Sequence, residues 1–152
     1  MNLKRLILML CLLFSQTAQA VVTGEMIMVR STEAFPEAMA LLQEAIKKQG
    51  YTLSKVQRVD VGLSAKGYKT DKYRVVFFGK GTEIQELSSK YPQLTPYLPL
   101  KIAIYAENEN TILISANPSV FNDMFNLPQL KPTFRQWLKD VTSILRAVQN
   151  QN

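Results

Sequence analysis

Four short groupings in this chain have residue types that could do chemistry: Met26-x-Met28, Ser64-x-Lys66, Gly79-Lys80-Gly81 and Glu107-x-Glu109. Two methionines at alternate positions of a strand share a face, and thioethers suit Cu(I), but two soft ligands do not complete a site. Packing in a core or an interface is the plainer use of the pair. Ser64 lies in neither a G-x-S-x-G elbow nor an S-x-x-K motif, so a polar loop explains it better than a Ser-Lys hydrolase. Gly79-Lys80-Gly81 is too short to cradle a phosphate. Glu107 and Glu109 read as the solvated tip of a turn rather than an acid-base pair. The chain has no histidine, and its one cysteine is Cys11. Tight zinc, haem and blue-copper sites lose their usual ligands, and a His-activated nucleophile is excluded within one chain. The expectation is a protein that is not an enzyme and holds no cofactor and no metal. The alternative is an enzyme of unfamiliar type using Lys, Tyr or carboxylate groups.

The elements that must carry these residues are marked by pattern. Val22 to Arg30, rich in Val, Ile and Met, predicts a strand. Pro36 and Glu37 open a helix whose buried face is Ala38, Leu41, Leu42, Ala45 and Ile46, with Lys47 and Lys48 in its last turn and Gly50 as its left-handed stop. Tyr51 to Gly62 and Lys72 to Gly79 predict two further strands. Thr82 and Gln85 have capping-box spacing for a short helix, and Pro92, Pro96 and Pro99 then forbid regular structure until Leu100. Leu100 to Ala106 and Thr111 to Asn117 form a hairpin, and Val120, Phe121, Met124 and Phe125 suggest one or two helical turns. A last helix starts near Pro132, with Phe134, Trp137, Leu138, Val141, Ile144, Leu145 and Val148 inward and Arg135, Lys139, Asp140 and Arg146 opposite. Strand, helix, four strands, helix makes an α+β two-layer sandwich, an antiparallel sheet with both helices on one face.

Residues 1 to 20 have the form of a cleavable signal peptide: Lys4-Arg5, an uncharged run from Leu6 to Phe14, and Ala18-Gln19-Ala20 at the end. A spanning helix needs about 20 apolar residues, so no stable membrane anchor is expected. Cleavage between Ala20 and Val21 leaves one domain, residues 21–152, in the periplasm or secreted, without a thiol. Its charge falls from 18 basic residues to 16 against 12 acidic ones, or +4, a modest and scattered excess. Such a balance does not mark a nucleic-acid binder.

Several local phrases resemble the family known as domain of unknown function 302. They are Ala34-Phe35 opening a helix that ends in Gly50-Tyr51, Tyr73-Arg74-Val75-Val76, Tyr97-Leu98-Pro99 leading into Ile102-Ala103-Ile104-Tyr105, and Asn117-Pro118 after the hairpin. The resemblance implies a TATA-binding-protein-like arrangement of sheet and helices, often dimeric, with no established activity. Family members with cysteines carry them where this chain has Gly79, Lys80 and Leu100, so no thiol role transfers.

A sheet covered on one face should alternate apolar and polar residues. With Leu100, Ile102, Ile104, Ile112, Ile114, Tyr73, Val75 and Phe77 toward the helices, the other face carries Met26, Met28, Val76, Phe78, Ala103, Tyr105 and Leu113, interleaved with Arg30, Arg74 and Lys101. That face is too apolar for water, and it is the expected site, centred on Phe78 and Tyr105. It would form a homodimer interface or a cleft for a small anionic amphiphile.

Overall fold

The computed structural model describes residues 21, 22 and 24–149; the expected signal segment, Cys11 included, lies outside the described residues. The chain runs β1 (Val21–Val22), β2 (Met26–Ser31), α1 (Phe35–Lys48), β3 (Thr52–Arg58), α2 (Val59–Ser64), β4 (Tyr73–Gly79) and α3 (Gly81–Lys90). After a 3-10 stretch at Pro92–Tyr97 come β5 (Leu100–Glu107), β6 (Asn110–Ala116), α4 (Phe121–Phe125) and α5 (Lys131–Gln149). The strands form one antiparallel sheet in the order β1-β2-β6-β5-β4-β3. The first long strand therefore lies beside the last.

Helix α1 ends as its sequence dictates. Gly50 takes a φ of 78°, its N–H bonds the Lys47 carbonyl at 2.9 Å, and the Tyr51 N–H reaches back to Ile46 at 3.2 Å. This is a Schellman closure, and it drops Tyr51 into the core beside Ile46. Helices α1 and α5 cover one face of the sheet, where Ile27, Val29, Val76, Phe78, Ile102, Ile104 and Leu113 join Leu42, Phe134, Trp137, Ile144 and Leu145 in a single core. The α+β sandwich with both long helices on one face is thus as expected. Ser31 Oγ donates to the Val148 carbonyl at 2.9 Å, fastening the end of α5 to β2.

Several local expectations fail for identifiable reasons. The strand drawn from Tyr51 to Gly62 ends at Arg58, and α2 takes up Val59–Ser64. Thr82 caps nothing: α3 already begins at Gly81, so Thr82 lies inside its first turn. Asp140 is buried, because it falls three residues after Trp137 and four before Ile144, on the edge of the inward stripe. The faces of β4 and β6 are the reverse of those predicted. Val76, Phe78 and Leu113 are fully buried against the helices, while Tyr73, Val75, Phe77, Ile112 and Ile114 belong to the helix-free face. The run Val75-Val76-Phe77-Phe78 is apolar at both parities, so alternation could not orient it.

Candidate functional site

The helix-free face is built from cross-strand rungs, since side chains directly opposite one another share a face. One rung runs Met28, Ile114, Ala103, Val75, Gln57 across β2, β6, β5, β4 and β3. A second runs Arg30, Ile112, Tyr105, Tyr73, and a third joins Lys101, Phe77 and Lys55. Tyr73 and Tyr105 meet edge to face with ring centroids 6.3 Å apart. Met26 and Met28 are 48% and 38% exposed, and Ile114, Ala103, Val75 and Tyr105 are partly covered, whereas Ile112 is buried.

Of the residues predicted for this surface, Met26, Met28, Arg30, Lys101 and Tyr105 are brought together on it. Phe78, Arg74, Val76 and Leu113 are not. Phe78 is fully buried and packs edge to face on Tyr51 at 5.4 Å. Arg74 points to the helix side, where its guanidinium pairs with Asp60 of α2 and lies 5.7 Å over the Phe35 ring. Arg30 keeps its predicted side but forms an ion pair of 2.5 Å with Glu107, so it is not a free cation for a ligand. The face instead gains Tyr73, Val75, Phe77 and Ile114, and Lys55 from the edge strand.

A groove of about 530 Å³ opens at one end of this face, floored by Met26, Ile114, Ala103, Tyr73 and Tyr105 and edged by Thr70, Asp71 and Lys72. Its floor is hydrocarbon and phenol, and its rim carries one acid and one base. The surface is suited to apolar contact with a few polar anchors. Among the described residues no cluster of three or more His, Cys, Asp or Glu is placed to hold a metal ion.

A second polar grouping lies on the helix side. The Tyr51 hydroxyl donates to Asp140 Oδ2 at 2.8 Å, and Gln136 donates to Asp140 Oδ1 at 2.8 Å. Lys80 Nζ sits 4.8 Å over the Tyr51 ring, and the Trp137 indole N–H donates to Glu83 at 3.3 Å. Burial, then the hydrogen bond and negative charge of Asp140, push the Tyr51 phenol well above its ordinary range. Tyr51 and Asp140 are both buried, so this grouping ties α5 to the end of α1 rather than meeting a substrate.

No curated protein matches this chain. In overall structure it is similar to an uncharacterized conserved protein DUF302 from Bacillus stearothermophilus, with a TM-score of 0.75 and 20% identity over 83% of this chain and 99% of that one. Residues 27–149, from β2 to the end of α5, match the family described as domain of unknown function DUF302. The chain belongs to that family.

Proposed function

We propose that this protein is an exported, non-enzymatic binding or accessory module that pairs with a second copy of itself through the helix-free face of its sheet. One observation carries the reading. A sheet face that no helix among the described residues covers presents Met26, Met28, Ile114, Ala103, Val75, Tyr73, Tyr105 and Phe77 as a continuous apolar surface. Alternating antiparallel sheets with one wet face put polar side chains there instead. A self-complementary patch under a two-fold axis is the commonest way such surface is buried. The lack of histidine, and of cysteine beyond Cys11, supports the non-enzymatic part.

The test is sedimentation equilibrium across a wide concentration range. The wild type should dimerise, and Met28→Glu or Val75→Glu should weaken dimerisation by at least tenfold while leaving the monomer's unfolding nearly unchanged. A wild type that stays monomeric at every concentration overturns the pairing.

The groove favours one second reading, a carrier whose apolar floor takes the tail of an anionic amphiphile with Lys72 at its head. Native mass spectrometry separates the two. A monomer retaining a small molecule supports the carrier, and an empty dimer supports the pairing.

A further inference from the structure

The excess positive charge is not scattered, as its overall size suggested, but gathered in one stretch. Between residues 55 and 74 stand six Lys or Arg against two Asp or Glu, while the rest of the chain after position 20 has ten of each. This stretch comprises most of edge strand β3, all of α2, the return loop and the start of β4. It contributes no member to the buried core. Arg74 and Asp60 neutralise each other. Lys55, Arg58, Lys66, Lys69 and Lys72 are exposed, and none of the five is in an ion pair among the described residues.

The same stretch exposes apolar groups between the cations: Val56, Val61 at 46% and Tyr68 at 64%. The return loop is ordered by its own closure. Gly67, at a φ of 84°, bonds the Ser64 carbonyl, and the Tyr68 N–H bonds Leu63 at 3.2 Å. These bonds fix the backbone that presents Tyr68 between Lys66 and Lys69.

We propose that this lobe, Lys55 to Arg74, docks the protein reversibly on a bilayer surface rich in anionic lipid headgroups. Lysines with flexible stems reach headgroup phosphates while their methylenes lie on apolar matter. A tyrosine with an exposed ring suits the boundary between headgroup and acyl chain. Val61 and Val56 decide against a nucleic acid, since aliphatic groups gain at a lipid boundary and have little to recognise along a phosphodiester chain. Lys55 and Tyr73 belong to both surfaces, but Lys66, Lys69, Val61 and Tyr68 lie outside the strands of the pairing face, so the attachment and the pairing can be tested, and can fail, separately.

Vesicle co-sedimentation tests it, using the intact mature protein with vesicles of one-third phosphatidylglycerol and two-thirds phosphatidylcholine. Binding should fall with added salt and be absent on pure phosphatidylcholine. Lys66→Gln with Lys69→Gln should weaken partitioning about fivefold per lysine. Val61→Ser with Tyr68→Ser should weaken it further at high salt. Lys131→Gln with Lys139→Gln on α5, the same loss of charge elsewhere, should change it little. Circular dichroism of each variant should match the wild type, since every altered side chain is exposed. The proposal fails if anionic vesicles are not bound at low salt or if pure phosphatidylcholine is bound equally. It fails too if the α5 pair matters as much as the lobe pair, or if the Val61 and Tyr68 changes have no effect. A duplex oligonucleotide held more tightly than vesicles at the same salt would also overturn it.

Discussion

At Phe78 and Tyr51 the core and the polar chemistry of the helix side meet, their rings crossed at 5.4 Å. Phe78→Ala should therefore unfold the monomer at lower urea, by about 3–5 kcal/mol, as Ile104→Ala should by about 2–5 kcal/mol. Asp140 is buried with two donors, so Tyr51→Phe leaves it one and should cost about 1–3 kcal/mol. The same phenol gives the fold an alkaline limit. An unfolded tyrosine ionises near pH ~10, whereas the folded Tyr51 holds its proton to higher pH. Its contribution to stability is complete below pH ~10 and is lost as pH rises toward the folded value, because only the unfolded chain releases the proton. Alkaline denaturation followed by phenolate absorbance should show Tyr51 ionising only with unfolding, and Tyr51→Phe should lessen the alkaline loss. All six tyrosines ionising while the protein remains folded would contradict this. Asp140 was legible in principle: a lone acid in register with Trp137 and Ile144 signals a buried, partnered carboxylate.

Whole elements were easier to read than their orientation. The periodicity of α1 and α5 and the glycine stop were plain in the sequence because they rest on local backbone and side-chain rules. Gly50→Ala should lower stability by about 1–2 kcal/mol, since the left-handed conformation is held by two closing hydrogen bonds. Thermal unfolding followed by circular dichroism would measure it. The β5–β6 hairpin carried more information than its alternation suggests. With Ala106 opposite Thr111, residues of opposite parity face one another, which places Leu113, not Ile112, beside Ile104. That count sets the helix-free face on β6 correctly. No such count exists for β4, which reaches β5 through α3 and the proline-rich stretch, so its face is settled only by tertiary packing. Phe78 and Arg74 were misplaced together for that single reason, and Arg74 then found Asp60 on a helix that had been drawn as strand.

For the molecule as a whole, the N-terminal segment and the residue types present raise expectations about compartment and chemistry, and the family match covers most of the domain. The mature protein is expected to begin at Val21, and intact-mass analysis of protein from its native host would show residues 1 to 20 missing. Retention of that segment on a membrane-bound product would refute the export reading. Elemental analysis after gentle purification should find less than about one transition metal per ten chains, and stoichiometric copper would restore a role for Met26 and Met28 as ligands. What composition hid was distribution. A net charge of +4 looks mild when spread over a domain and strong when gathered on residues 55–74. That difference becomes visible once β3, α2 and their loop are seen to share one poorly covered edge.

The placement of β2 between β1 and β6 has a consequence for biogenesis. Met26 to Ser31 is the first long strand to be made, yet its principal neighbour is the last strand of the sheet, and the helix that covers it ends at residue 149. A chain made N-terminus first must hold this apolar segment without its main partner strand until nearly all of the polypeptide has followed. Its protection therefore comes late and all at once. In a series of C-terminally shortened chains, protease resistance of β2 should be absent from every member that stops before α5 and appear when α5 is complete, and the shortened forms should be bound by holdase chaperones.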